Sequence, residues 1–245
     1  MKAGHSPTYL TKIAPSRRLL LLFAVSAVCL RGGNNIVDAR EAKAPPKPND
    51  LISPEAALKR LMEGNDGYVQ GVSRRDDFKR ERQVLVDGQN PYAAVLSCAD
   101  SRVAPELVFG SGLGDLFVCR LAGNFVNDDT LASMEYAVAV LNTPLILVLG
   151  HDHCGAIDAT IKSLHDDKPP PGHISSLVAA LAPAVKGSRQ QTGDTFAEAT
   201  RQNVIDNVNK LKSTGPILNA AVEQNRVKVV GGLYRLDTGR VELLS

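Results

Sequence analysis

Downstream of residue 90 the chain carries three short apolar runs, Tyr92 to Ser97, Asp115 to Cys119 and Pro144 to Leu149. Each closes in small or polar residues. Runs that are apolar at successive positions, rather than at alternate ones, suit parallel strands buried on both faces. Between the last two runs, Thr130 to Leu141 places Leu131, Met134, Ala137, Val138 and Leu141 at helical spacing. A further helix is expected after Cys154, through Ile157 and Ile161. Three prolines then break the pattern between Asp167 and Gly172. Helices are expected around Ile174 to Val185 and Phe196 to Leu211, with a shorter one near Pro216 to Gln224. Val227 to Leu236 reads as a strand, and Asp237-Thr238-Gly239 turns it into Arg240 to Leu244. Strands alternating with helices indicate an α/β fold: a mainly parallel central sheet with one antiparallel edge strand, flanked by helices.

Upstream, Ser53-Pro54-Glu55 opens a helix, with Ser53 as cap and Pro54 in the first turn. Leu58, Leu61 and Met62 form its apolar stripe. Residues 40–50 are a polar, proline-rich linker. Residues 1–39 read as a signal peptide. A basic stretch ending in Ser16-Arg17-Arg18 precedes an apolar run from Leu19 to Leu30, and Val37-Asp38-Ala39 offers small residues for cleavage. The run is too short to span a bilayer comfortably. The paired arginines look like a twin-arginine signal, with an ordinary secretory signal as the alternative. The expectation is a periplasmic or secreted protein whose folded domain covers residues 51–245, with no membrane span after cleavage.

Charge supports that division. Residues 1–39 hold Lys2, Lys12, Arg17, Arg18 and Arg31 against Asp38 alone. The rest keeps 23 of the 28 basic residues and 25 of the 26 acidic ones. A mature domain so close to neutral has no electrostatic footprint for nucleic acid. Once Cys29 leaves with the signal, Cys98, Cys119 and Cys154 remain. An odd number in an exported protein argues against a disulfide framework and leaves thiols for another use.

Two motifs fall at the ends of expected parallel strands, where open α/β sheets place their sites. The first is Ser97-Cys98-Ala99-Asp100-Ser101-Arg102, the second Gly150-His151-Asp152-His153-Cys154-Gly155. A cysteine after a strand is by itself commonly a small core residue. Together, Cys98, His151 and Cys154 offer the two thiolates and one imidazole of a catalytic zinc site with an open fourth position. Asp100 stands near enough in sequence to reach that position.

These motifs resemble those of the β-class carbonic anhydrases, and the resemblance runs from Ala57 to Leu244. It is carried by Leu61-Met62-Glu63-Gly64-Asn65, Cys98 through Val103, Gly114 through Val118, and Ala122-Gly123-Asn124. Glu135 through Val138, Gly150 through Ala156, Val230 through Tyr234 and Thr238-Gly239 complete it. The resemblance implies one zinc ion per chain on Cys98, His151 and Cys154. It implies reversible hydration of carbon dioxide to bicarbonate, and a homodimer or a tetramer built from it. Asp100 and Arg102 would be the catalytic dyad, with the guanidinium keeping the carboxylate ionised and turned from the metal. Without Arg102, Asp100 would become a fourth ligand and close the site. Gln89 would hydrogen-bond bicarbonate, and Phe117 and Tyr136 would line an apolar pocket near a subunit interface.

Some positions depart from the family pattern. His153 is an unusual occupant, either a turn residue or a proton shuttle. Cys119 reads as an inert buried thiol. The chain has no tryptophan, which favours the subgroup lacking a regulatory bicarbonate pocket. Two rival readings remain: a hydrolase of carbonyl sulfide or carbon disulfide on the same ligands, and a non-enzymatic zinc-binding relative.

Overall fold

The computed structural model describes residues 52–72, 78–188 and 194–244. The expected leader and linker, residues 1–50, lie outside them. In chain order the elements are α1 (Pro54–Val69), α2 (Phe78–Val84), β1 (Ala93–Ser97), α3 (Pro105–Val108), β2 (Leu116–Arg120) and α4 (Asp128–Ala139). They continue as β3 (Leu145–His151), α5 (Gly155–Asp166), α6 (Ile174–Ser188), α7 (Thr195–Ser213), α8 (Leu218–Glu223), β4 (Lys228–Tyr234) and β5 (Val241–Leu244).

The five strands form one sheet in the order β2-β1-β3-β4-β5. The first three pairings are parallel and β4–β5 is antiparallel, as the sequence pattern indicates. Alternate residues feed two cores. Ala94, Leu96, Ile146 and Val148 face α4, α7 and α8. Ala93, Val95, Leu145, Leu147 and Leu149 face α1 and α3. Both faces are covered, so β1 and β3 have no polar face to show in their sequences. A third apolar cluster, with Ile157, Leu181, Val185 and Ala199, surrounds Cys98 and Cys154 beneath α5, α6 and α7.

Local chemistry fixes the element ends. Ser53 Oγ accepts the Ala56 amide and starts α1. α4 begins two residues earlier than its apolar stripe indicates, because Asn127 and Thr130 form a reciprocal cap ahead of the stripe. It ends at Ala139, before Asn142 turns left-handed. β3 runs two residues past Leu149, so His151 is itself a strand residue. This needs Gly150: a Cβ there would sit 2.6 Å from Val204 Cγ2 on α7. Two short helices, α2 and α3, have no counterpart in the sequence reading, since neither is long enough to show a period.

The β4–β5 hairpin is tied to α1 by one buried side chain. Asn65 donates to the carbonyls of Val108 and Gly239 and accepts the Val241 amide. Asp152 ties the same hairpin to the loop after β3. Its amide donates to Tyr234 O at 3.2 Å and its Oδ1 accepts the Leu236 amide at 3.0 Å.

Candidate metal centre

β1 lies between β2 and β3 in the sheet. The chain therefore leaves β1 toward one edge and returns on its other side, a topological switch point. Cys98 immediately follows β1, and His151 ends the adjacent β3. Cys154 caps the N-terminus of α5, where the helix dipole favours an anionic sulfur. The ligand atoms of these three buried residues lie within 4.8 Å of one another.

The imidazole is oriented as a ligand. His151 has no exposed side-chain surface, and its Nδ1 sits 2.7 Å from Asp152 O, where an N–H can only donate. That tautomer leaves Nε2 as a bare lone pair, buried and without a hydrogen-bond partner. Burial disfavours protonation of His151, but the sulfur of Cys98 outweighs it and raises the pKa.

The two sulfurs compete for one proton. The Cys154 thiol stabilises a Cys98 thiolate, so the pair gives up its first proton well below the usual thiol range. The second is held above that range by the adjacent thiolate and by burial. The Gly123 amide also donates to Cys98 Sγ at 3.4 Å. Gly123 has φ +92, and a Cβ on it would meet Leu181 Cδ1 at 2.7 Å. A divalent metal held by Cys98 and Cys154 would resolve the proton competition, since it favours both sulfurs as thiolates. The buried lone pair on Nε2 would gain the partner it lacks. The residues present therefore fit a metal of borderline softness.

Asp100 stands at the mouth of this group, with Oδ2 4.0 Å from His151 Nε2. Arg102 grips the carboxylate as a fork, Nε to Oδ1 at 2.9 Å and Nη2 to Oδ2 at 2.8 Å. The Arg102 amide adds a third bond to Oδ1 at 3.0 Å. These bonds hold the Asp100 pKa far below the ordinary carboxylate range. Arg102 Nη2 also donates to His153 O at 3.3 Å, linking the loop after β1 to the loop after β3. His153 is exposed with φ +50.

The remaining candidates lie apart. Phe117 and Tyr136 meet on β2 and α4 with ring centroids 6.2 Å apart, and Tyr136 is 46% exposed. Phe117 pairs with Ala94, four residues before Cys98. At a rise of ~3.3 Å per residue it sits about 13 Å back along the sheet from that ligand. Gln89 is exposed beside Leu85, Val86 and Gly114 in a cavity of about 380 Å³. Neither that cavity nor the aromatic pair includes a residue of the metal group. Cys119 is half-buried on β2, and burial raises its pKa.

Sequence reasoning missed the supports. On α7, Asn203 donates to Gly123 O at 2.9 Å, Asn207 accepts the Val126 amide at 2.7 Å, and Lys210 donates to Val126 O at 2.8 Å. These side chains fix the loop that presents the Gly123 amide to Cys98. Their signal in the sequence is two asparagines, four apart, on the buried face of α7 among Ala199, Val204, Val208 and Leu211.

Fold and site together define an α/β protein with a Cys-His-Cys group that could hold a metal at the sheet's switch point. A family model described as "Carbonic anhydrase" matches residues 93–241. "Carbonic anhydrase 2" of Mycobacterium tuberculosis is 38% identical over 192 residues, covering 78% of this chain and 93% of that protein. The structure of a Coccomyxa β-carbonic anhydrase in complex with acetazolamide is 27% identical, with a TM-score of 0.59 over 76% of this chain and 86% of its own. One of two tetrameric β-carbonic anhydrases from Sordaria macrospora shares the fold at 22% identity, with a TM-score of 0.61 over 77% and 96% of the two chains. The chain belongs to the β-carbonic anhydrase family, a family of metal-dependent lyases.

Proposed function

We propose that the protein catalyses the reversible hydration of carbon dioxide to bicarbonate and a proton, using one zinc ion held by Cys98, His151 and Cys154. The observation that carries this reading is the clamped Asp100 carboxylate, poised 4.0 Å from His151 Nε2. Pure metal storage has no use for it. Zinc at this group would act as a Lewis acid that makes hydroxide available as the nucleophile near neutral pH. Two thiolates cancel its formal charge, so activity grows toward alkaline pH.

The chain's own residues do the rest. Arg102 stays charged and keeps Asp100 ionised. Asp100 Oδ2 then accepts the nucleophile's hydrogen and turns a lone pair toward the carbon of carbon dioxide. The apolar cluster of Ile157, Leu181, Val185 and Ala199 keeps bulk water from the ligands. Phe117, Tyr136 and Gln89 contribute to the substrate pocket from a second copy, since one chain does not bring them to its own metal group. A homodimer or tetramer is accordingly the working unit, and a tetramer is recorded for a relative of the same fold.

Residues 1–39 act as a signal that exports the protein, with cleavage near Ala39. No helix of the described residues is long and apolar enough to cross a membrane. Intact-mass analysis of the exported protein checks this.

Metal analysis with stopped-flow assays on carbon dioxide, carbonyl sulfide and carbon disulfide tests the function. One zinc per chain with dominant carbon dioxide turnover supports it. Dominant turnover of either sulfur compound assigns the hydrolase reading. Bound zinc without any turnover assigns a non-enzymatic metal protein.

A further inference from the structure

The loop that carries both Cys98 and Asp100 is held to β2 beyond the end of the sheet. The ladder runs one step past Ser97: the Leu121 amide donates to Ser97 O at 3.2 Å and the Ala99 amide to Leu121 O at 3.1 Å. The side chain of Arg120, the last residue of β2, then takes over. Its Nε donates to Cys98 O at 3.0 Å, and its Nη2 donates to Asp100 O at 2.7 Å. One planar guanidinium thus spans the main chain of a metal ligand and the main chain of the dyad carboxylate. Its own Cα is fixed opposite Ser97 by the sheet register.

These bonds are not needed to satisfy the carbonyls. Cys98 O also accepts Ser97 Oγ at 3.4 Å, and Asp100 O also accepts the Val103 amide at 3.0 Å. Arg120 is exposed, so truncating it opens no core cavity. What the fork uniquely supplies is a fixed spacing between two main-chain points. The Arg102 side chain grips the Asp100 carboxylate and His153 O but makes no bond to the main chain of Cys98 or Asp100.

We propose that Arg120 is a positioning residue, whose two hydrogen bonds set the Cys98–Asp100 spacing and so keep the Asp100 carboxylate beside the metal position rather than on it. This rests on the function proposed above. A guanidinium is required because an ammonium is a point donor and cannot hold both carbonyls in one plane.

The test uses the mature protein loaded with zinc or cobalt, as wild type, Arg120→Ala and Arg120→Lys. Both variants are expected to bind one metal per chain and to melt as wild type does. Their kcat for hydration should fall roughly tenfold, the scale of a sub-ångström misplacement, while KM changes little. The visible absorption of the cobalt form should move toward that of a site closed by carboxylate. Added guanidine should restore both kcat and spectrum in Arg120→Ala, a rescue that a purely structural role would not give. Wild-type kcat and spectrum in Arg120→Ala would overturn the proposal, as would full activity in Arg120→Lys. Should Arg120→Ala fail to fold, the lysine variant decides alone, since it keeps stem and charge. A wild-type protein without hydration activity refutes the function, and the cobalt spectra then still decide the positioning role.

Discussion

Replacing Arg102 by alanine separates an enzyme from a metal scaffold. The substitution removes the two side-chain bonds to Asp100, at 2.9 and 2.8 Å, and leaves only the backbone amide at 3.0 Å. The distance Asp100 must then travel can be worked from the site. Ligand atoms on a tetrahedral zinc with bonds of ~2.0–2.1 Å are about 3.3–3.4 Å apart. Asp100 Oδ2 is 4.0 Å from His151 Nε2, so it would have to close on that nitrogen by at least about 0.6–0.7 Å to become a fourth ligand. Once the fork is gone, only the single amide bond to Oδ1 opposes a side-chain rotation of that size. The freed carboxylate should therefore close the site. Zinc stays at one per chain, and turnover at neutral pH falls about 100-fold, the scale of a catalytic group misplaced by an ångström. Activity should recover partly at alkaline pH, where hydroxide competes with the carboxylate. The assay is stopped-flow hydration of carbon dioxide across pH, with metal content measured on the same samples. Wild-type turnover in the zinc-loaded variant would refute the reasoning, as would a crystal structure with Asp100 still turned away from the metal.

Other perturbations probe the rest of the frame. Cys98→Ala, His151→Ala and Cys154→Ala should each lose zinc by elemental analysis, because two protein ligands compete poorly with water and chelators; full zinc in Cys98→Ala would displace that residue from the ligand set. Asn65 is 1% exposed, and Asn65→Ala strips partners from Val108 O, Gly239 O and the Val241 amide. The cost should be about 3 kcal/mol or more in urea unfolding, and a change under about 1 kcal/mol would show that water or a shifted hairpin replaces the amide. Asp100 has a depressed folded pKa, caused first by the Arg102 side chain. Its contribution to stability is therefore complete above the unfolded value of about 3.9 and is lost as pH falls below that toward the folded value. The carboxyl carbon shift of Asp100 should stay flat from about pH 5 to 9, and a titration step inside that window would contradict the clamp.

Much of this molecule follows from local pattern. The apolar runs around Val95 and Leu147 mark strands covered on both faces, and the structure covers both. Ser53, Thr238 and Gly239 mark a helix start and a hairpin turn because cap and turn chemistry acts within a few residues. The residue types of the metal group were legible too, since two cysteines and a histidine at strand ends are a short list of ligands. α2 and α3 were not, because one or two turns of helix leave no period to detect.

What only the tertiary structure decided is adjacency. The chain's linear pattern is indifferent to strand order. β3 returns to the far side of β1 because helices must cover both faces of the sheet and each crossover keeps one hand. That return, and nothing in the spacing, carries His151 across to Cys98. The supporting contacts share this origin. Asn203 reaches Gly123, and Arg120 reaches Cys98 and Asp100, across separate elements. Local sequence can specify a ligand's chemistry and its element. The spacing around the metal group is set between elements, by packing and by hydrogen bonds such as those of Arg102 and Arg120.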